Sequence, residues 1–166
     1  MVIMDSVKSP QNVFFYRING IDIGIGEERG AITGVFFGHN PPAAFTNGYA
    51  KAETPLIKKT AVQIDEYLAG KLKEFSLPLA LHGTEFQKAV WQALQAIPYG
   101  ETRSYKDIAA AIGKPKAVRA VGMANNRNPV VIIVPCHRVI GHDGSLTGYG
   151  GGLPLKQRLL ELEQCF

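Results

Sequence analysis

The sequence predicts an α/β protein with a small N-terminal β-sheet and helix, followed by a C-terminal part that is mainly helical. Three observations lead to this expectation. Short β-branched and aromatic runs bounded by turn residues lie near the start of the chain, and capped segments with helical spacing follow. The composition changes near Leu81-His82-Gly83, so we expect an N-terminal supporting domain over 1–81 and a second domain over 82–166.

A hairpin opens the N-terminal part. Asn19-Gly20 separates two apolar runs, 13–18 and 21–25. This dipeptide favours a type I′ turn because both central residues need a positive φ. Residues 31–37 are expected to form a third strand, and 38–54, with two adjacent prolines, to form a loop.

Two capped helices follow. Thr54 can cap the first, Pro55 suits its first position, and Gly70 ends it. Thr84 and Gln87 form a capping-box pattern at the start of the second. These signals predict one helix on each side of the domain boundary.

A helix-turn-helix pattern comes next. Ser104 with Asp107 caps a short helix that Gly113 ends, and Pro115 can open another helix running to about Asn125. Two short helices joined by such a turn are typical of this DNA-binding motif, although its usual polar base-reading side chains are missing here. Residues 117–124 are mostly small around Arg119. They either pack against a neighbouring helix or allow a close, sequence-independent approach to a minor groove.

The net charge of +4 lies entirely in the second half of the chain. Residues 1–81 hold eight basic and eight acidic residues, whereas 82–166 hold ten and six. Seven of the basic residues fall between Arg103 and Arg138, with only one acid among them. This pattern fits either a solvated face or a surface that binds a polyanion.

The composition argues against several protein classes. With 46% hydrophobic and 19% charged residues the chain is globular rather than disordered. The β-branched run 130–134 is too short to span a bilayer, and Asp5 interrupts the apolar start before a signal peptide can form. Two cysteines cannot make a disulfide framework. We therefore expect a cytoplasmic protein with no membrane association.

Cys136 gives the strongest chemical signal. The run 130–134 reads as a buried strand and leads into Pro135-Cys136-His137-Arg138. The thiolate is the nucleophilic form of cysteine, and a neighbouring histidine and cation favour it. The alternative is a small buried cysteine that serves only packing.

Two other kinds of site compete with a nucleophile of this kind. Cys136, His137 and His142 are the nearest metal-ligand types, but no Cys-x-x-Cys or His-x-x-His spacing exists, so a metal site is a weak interpretation. A thiol hydrolase uses a cysteine, a histidine and a distant amide or acid. Residue spacing leaves that alternative open.

The segment 128–140, with its Pro-Cys-His-Arg core, resembles the active-site signature of the O6-alkylguanine-DNA alkyltransferases, also called methylated-DNA–protein-cysteine methyltransferases. The likeness extends over residues 83–163, and the first half is similar to the family only in its ribonuclease H-like layout. The matching segments include Gly83-Thr84, Phe86-Gln87, Val90-Trp91, Ile97-Pro98-Tyr99-Gly100, Ser104-Tyr105, Arg119-Ala120-Val121-Gly122, Leu146-Thr147-Gly148-Tyr149 and Leu159-Leu160-Glu161-Leu162-Glu163. The resemblance implies a winged-helix-like C-terminal domain. Some relatives carry zinc in the N-terminal domain, but this chain has no cysteine before Cys136, so no metal or cofactor is implied.

The resemblance also implies a suicide repair reaction. Cys136 would take the alkyl group from O6 of guanine in double-stranded DNA, once per molecule. His137, with Glu163 behind it, would activate the thiol through a water, and Asn128 would hold the segment around the cysteine. The resemblance leaves open whether O4-alkylthymine is also a substrate, and we expect a monomer.

Further roles follow from the same resemblance. Tyr105 would stabilise or protonate the departing guanine, and Arg119 would enter the base stack in place of the flipped nucleotide. The remaining expected DNA contacts are Ala120, Gly122, Lys106, Lys114 and Lys116. The expected base pocket consists of Val139, Tyr149 and Gly150. Some relatives have serine where Gly150 stands, so a backbone N–H would replace that side-chain contact.

Three other functions compete with stoichiometric repair. A non-catalytic lesion-binding protein shares the fold but lacks the reactive cysteine. A transcriptional regulator would need polar base-reading residues in 117–124, which are missing. A thiol hydrolase would turn over many times and ignore DNA.

Overall fold

The computed structural model describes residues 11–45 and 48–165, without the side chain of Ala44. Asp5 lies outside these residues. The strands are β1 Gln11–Ile18, β2 Ile21–Glu28, β3 Ala31–Phe37, β4 Tyr49–Lys51, β5 Arg103–Ser104 and β6 Val139–Ile140. The helices are α1 Pro55–Leu68, α2 Glu85–Gln95, α3 Tyr105–Ala111, α4 Val118–Asn126 and α5 Leu153–Leu162. Short 3-10 turns cover Ala43–Phe45 and Cys136–Arg138. The predicted α/β class, with a sheet first and helices after it, is confirmed.

The first four strands form one sheet in the order β3-β2-β1-β4. The β1–β2 hairpin is confirmed, with φ of 50° at Asn19 and 77° at Gly20. The prediction of a plain loop over 38–54 is wrong, because β4 pairs in parallel with the start of β1. With only three residues at a sheet edge, β4 is too short to show an alternating pattern.

The sheet has an apolar cluster on each face. On one face, Ile25 and Val35 pack with Ile57 and Ile64 of α1 in the main core, which continues through α2 and α4 to α5. On the other face, the ring of Phe45 covers glycine backbone in β2 and β3. A Cβ on Gly26 or on Gly34 would lie 2.5 Å from that ring, so only glycine allows this contact.

Strand β3 carries the C-terminal part on its free edge. Val35 N–H donates to Pro129 O (2.9 Å), and Val131 N–H donates to Val35 O (3.0 Å). The same edge holds the connection between the two parts, since Ile32 N–H donates to Pro78 O (2.8 Å). The sheet therefore fixes the chain immediately before Cys136.

The helical part follows the predicted caps, with two corrections. Capping boxes at Thr84 and Ser104 start α2 and α3 as expected. Helix α4 begins at Val118 rather than at Pro115, which lies in the turn after α3. The run 130–134 is not a strand but a series of turns, because the Asn128 side chain hydrogen-bonds to the backbone of this segment. No helix among the described residues is long and apolar enough to cross a membrane.

Candidate active site

The segment 128–134 folds back on itself just before Cys136. Asn128 Nδ2 donates to Val134 O (2.7 Å), and Asn128 Oδ1 accepts from Val130 N–H (3.0 Å). Val134 N–H donates to Val130 O (3.0 Å), and Ile132 between them has a φ of 71°. A β-branched residue in this region is strained, and such strain persists only where the surroundings enforce it. The Asn128 side chain therefore closes the turn that leads to Cys136.

Cys136 begins the 3-10 turn Cys136–Arg138 and is 4% exposed. Burial raises the pKa of its thiol, while a hydrogen bond from the Asn128 side chain and the charge of Lys156 act in the opposite direction. The thiol is consequently protonated at neutral pH. Since the thiolate is the reactive form, Cys136 needs a base to become a nucleophile.

His137 and Glu163 form a buried pair beside the cysteine. His137 Nε2 lies 2.9 Å from Glu163 Oε1, and both side chains are 0% exposed. Burial lowers the pKa of His137, although Glu163 opposes this shift. The imidazole is therefore neutral at neutral pH, with the proton on Nε2 facing the carboxylate. Its Nδ1 is buried without a hydrogen-bond partner among the described residues, which leaves that nitrogen's lone pair free.

Glu163 stays ionised because it accepts several hydrogen bonds. Arg138 Nε donates to Oε2 (2.8 Å) and Arg138 Nη2 donates to Oε1 (2.9 Å). Gly100 N–H reaches Oε2 at 3.3 Å. Burial works against ionisation, but the hydrogen bonds from His137 and Arg138 prevail and lower the pKa of Glu163 to about 2.

Sequence reasoning missed two buried residues of this site and gave a third a different partner. Arg138, the cation expected to favour the Cys136 thiolate, donates to Glu163 and, from Nη1, to Ile97 O (2.7 Å). The first missed residue is Lys156, whose Nζ donates to Val139 O (2.6 Å) and Thr147 O (2.9 Å), and burial lowers its pKa to about 8. The second, Tyr67 on α1, bonds to Glu163.

A sequence signal for Lys156 was available. Lys156, Leu159, Leu160 and Glu163 follow the i, i+3, i+4, i+7 spacing of one helix face, and all four are buried. A lysine and a glutamate on an apolar face indicate a polar site beneath it. Tyr67 gave no such signal, because it occupies an ordinary core position of α1.

The expected base-pocket residues lie around the same turn. Val139 is fully buried on β6, which pairs in parallel with β5. The Tyr149 hydroxyl is buried without a partner among the described residues, and its ring contacts Phe37 edge-on at 5.7 Å. Burial raises the pKa of Tyr149, and the nearby Cys136 adds to this shift. A Cβ on Gly150 would meet nothing within 4 Å, so this position borders open space.

Tyr105 lies at the start of α3. Its hydroxyl donates to Thr147 O (3.3 Å) and accepts from Thr147 Oγ1 (3.2 Å). Its ring lies 3.8 Å from the position of a Cβ on Gly122, so α3 and α4 meet closely there. Thr147 also accepts from Lys156, which links Tyr105 to the buried site.

The expected DNA contacts lie on α3, on α4 and in the turn between these helices. Arg119, Ala120, Lys106, Lys114 and Lys116 are exposed, and Gly122 is half-buried. Val121, Ala124 and Asn125 of α4 are buried instead. The packing interpretation of the small-residue stripe therefore holds for this buried face, and the close approach to a DNA groove stays a prediction for the exposed one. Met123, which sequence reasoning did not single out, is 56% exposed on the outer face.

The arrangement places a buried thiol beside a neutral imidazole that is paired with an ionised carboxylate. Within residues 11–45 and 48–165 no group of three or more His, Cys, Asp or Glu side chains could hold a metal ion. Geometry alone fits either alkyl transfer or a thiol hydrolase, since both use a cysteine with a histidine.

Comparison with known families decides between these classes. Residues 25–81 match the model of the "6-O-methylguanine DNA methyltransferase, ribonuclease-like domain", and residues 85–165 match that of the DNA binding domain of the same proteins. The chain belongs to this family. The two matched regions lie on either side of the expected boundary near residue 82.

Individual relatives agree with the family models. A methylated-DNA–protein-cysteine methyltransferase of Methanosarcina barkeri is 56% identical over 128 residues, which cover 72% of this chain and 81% of the relative. The constitutive enzyme of that name from Bacillus subtilis is 59% identical over 113 residues, 68% of each chain. The Mycobacterium tuberculosis protein OGT, solved in complex with DNA, has a TM-score of 0.83 and 43% identity over 92% of both chains.

Proposed function

We propose that this protein repairs double-stranded DNA by transferring the alkyl group from O6 of alkylguanine to its own Cys136, once per molecule. The observation that carries the proposal is the buried Cys136 next to the His137–Glu163 pair, in a chain of the methyltransferase family. The M. tuberculosis relative solved with DNA supports DNA as the partner of this chain. The N-terminal part, 1–81, acts as a supporting domain for the site in 82–166.

Activation of the thiol starts from neutral groups. His137 holds its proton on Nε2 toward Glu163, so Nδ1 is the base that takes the Cys136 proton through one water. The imidazolium that forms is stabilised by the ionised Glu163. Lys156, whose charge lowers the pKa of Cys136, stabilises the thiolate.

The transfer itself is a displacement at carbon. A bond forms between Cys136 Sγ and the alkyl carbon, and the bond from that carbon to O6 breaks. The electron pair of the broken bond passes to the guanine, whose negative charge Tyr105 stabilises or neutralises by giving up its hydroxyl proton. The proton that His137 took from Cys136 returns through water to the guanine or to Tyr105, so the protons balance. An S-alkyl thioether has no leaving group comparable to that of a thioester, so the protein is not regenerated.

Asn128 positions Cys136 for this step, and the base pocket positions the guanine. Asn128 closes the turn before Cys136 and lowers the pKa of the cysteine thiol. Val139 and Tyr149 form apolar walls for the extruded base. The open space at Gly150 leaves the backbone N–H as the polar contact there and leaves room for the alkyl group.

The outer face of α3 and α4 binds the duplex. Arg119 enters the stack and fills the place of the extruded nucleotide, while the exposed Ala120 and half-buried Gly122 allow a close backbone approach. Lys106, Lys114 and Lys116 contact phosphates. Each phosphate contact contributes about −0.9 to the slope of log affinity against log salt. The protein acts as a monomer.

Mass spectrometry tests the proposal directly. The protein is mixed with excess duplex containing one O6-methylguanine, and the intact mass and peptide masses are recorded. We expect one methyl group on the Cys136 peptide and repair that stops at one equivalent. Cys136→Ala should bind the duplex without transfer, whereas Cys165→Ala, the matched control at the second cysteine, should transfer normally.

Other outcomes would contradict the proposal. Repeated turnover would indicate a hydrolase, and a methyl group on another residue would reject Cys136 as the acceptor. An unmodified protein that still binds the lesion would indicate the lesion-binding class. The same assay with O4-methylthymine determines whether that base is also a substrate.

A further inference from the structure

Tyr67 brings the N-terminal part of the chain into direct contact with the buried acid–base pair. It lies on α1, is 0% exposed, and its hydroxyl donates to Glu163 Oε1 at 2.5 Å. The same hydroxyl oxygen lies 3.2 Å from His137 Nε2. The hydroxyl therefore touches both members of the pair from a helix that lies 70 residues earlier in the chain than His137.

A count of donors shows what this hydroxyl does at the carboxylate. Oε1 of Glu163 receives His137 Nε2, Tyr67 OH and Arg138 Nη2, while Oε2 receives Arg138 Nε and Gly100 N–H. Because the phenol proton goes to Oε1, the phenol oxygen presents lone pairs on the side where His137 Nε2 lies. Both acceptors near Nε2 then favour a proton on that nitrogen.

We propose that Tyr67 is a positioning residue for thiol activation, which holds the Glu163 carboxylate and keeps the His137 proton on Nε2 so that Nδ1 stays a free base. This inference rests on the proposed function. It gives α1 a role in the chemistry beyond supporting the sheet.

The electrostatic surroundings of His137 set the expected direction of change. Glu163 and Lys156 face it from α5, Tyr67 from α1, and Cys136 and Arg138 flank it in its own turn, with Tyr149 close to Cys136. The Tyr67 hydrogen bond lowers the pKa of Glu163, so it withdraws charge from the oxygen that faces His137. Without the hydroxyl, that oxygen attracts a proton on His137 more strongly, and the pKa of His137 rises.

The alternative is that Tyr67 serves only packing, since its ring contacts Phe75 at 5.4 Å and Tyr99 at 6.2 Å. Tyr67→Phe keeps this ring and removes only the hydroxyl. Tyr99→Phe is the matched control, because the Tyr99 hydroxyl donates to Leu162 O at 3.4 Å and makes no hydrogen bond to Glu163 or His137 within the described part of the chain.

The test is the single-turnover rate of methyl transfer from duplex O6-methylguanine between about pH 5 and about pH 9, where a general base of this type titrates. We expect Tyr67→Phe to slow transfer about tenfold at neutral pH. This loss is smaller than the full contribution of a general base, because His137 itself remains. Its acid limb should move to higher pH, while Tyr99→Phe keeps the wild-type rate and profile. A Tyr67→Phe protein with the wild-type rate and pH profile overturns the inference.

A measurement on the unmodified protein makes the test independent of variant folding. Nitrogen-15 NMR of the His137 ring should show a proton on Nε2 and none on Nδ1 at neutral pH, and the reverse tautomer would reject the role of Tyr67. Wild-type protein that transfers no methyl group overturns the proposed function itself. Wild-type transfer with an unchanged Tyr67→Phe profile overturns only the role of Tyr67.

Discussion

Replacing Glu163 by glutamine should damage both stability and alkyl transfer. The five donors around the carboxylate are divided three to Oε1 and two to Oε2. A glutamine amide has one oxygen, so in either orientation its NH2 group faces at least two donors that lose their acceptor. The change also leaves the buried Arg138 without its counter-charge. Breaking such a buried pair costs about 3–5 kcal/mol.

The assay is urea unfolding together with single-turnover transfer. Glu163→Gln should lower the unfolding free energy by about 3–5 kcal/mol and slow transfer at least about 100-fold, because His137 loses the carboxylate that supports it as the general base. Glu161→Gln is the matched control, because within the described part of the chain that exposed side chain accepts only from Gln157 (2.8 Å). It should change stability by less than about 0.5 kcal/mol. A Glu163→Gln protein with the same midpoint of urea unfolding as wild type would refute this expectation.

Three further predictions concern the charge of Glu163, the packing of Phe45 on the sheet and the exposed Arg119. The pKa of Glu163 is lowered from 4.5 to about 2, so its contribution to the free energy of unfolding is complete above pH 4.5 and is lost as the pH falls toward 2. In this window the unfolding free energy, measured with urea, should depend more steeply on pH for wild type than for Glu163→Gln. Gly34→Ala places a Cβ 2.5 Å from the Phe45 ring, so it should cost about 1–3 kcal/mol in urea unfolding, and a stability equal to wild type would contradict the packing described. Arg119→Ala should slow transfer from a paired duplex more than from a single strand, in which no base pair must be opened; equal slowing on both substrates would argue against a role in extrusion.

Much of the fold could be predicted because its signals are local. Asn19-Gly20 predicted the hairpin, and the boxes at Thr84 and Ser104 predicted the starts of two helices, since turn and cap preferences depend on a few adjacent residues. The prediction of a strand over 130–134 is wrong because a run of β-branched residues indicates that a segment is buried but does not determine its backbone conformation. Its backbone is set by the Asn128 side chain, which competes with a sheet for the same N–H and C=O groups.

The candidate site also contains residues that local motifs indicate and one residue that they do not. Cys136 and His137 are adjacent, and Glu163 belongs to a recognisable helical segment, so the resemblance to the family could identify all three as site residues from local motifs. Tyr67 comes from another part of the fold and looks like any core aromatic, because the hydrogen bond that distinguishes it crosses 96 residues. Contacts of this kind depend on how α1 packs on the C-terminal part, which no local pattern records.

The arrangement of α5 explains how a buried thiol can lose its proton. Moving that proton from Cys136 to His137 creates a negative and a positive charge in a poorly solvated place, which is costly unless each has a counter-charge. Lys156 and Glu163 are those counter-charges: Lys156 lies on the buried face of α5, and Glu163, seven residues later, is the buried residue that caps the end of this helix. Lys156 lowers the pKa of Cys136, and Glu163 bonds to His137 at 2.9 Å. In the proposed mechanism Lys156 and Glu163 therefore stabilise both charges that the proton transfer creates, and Arg138 keeps Glu163 ionised.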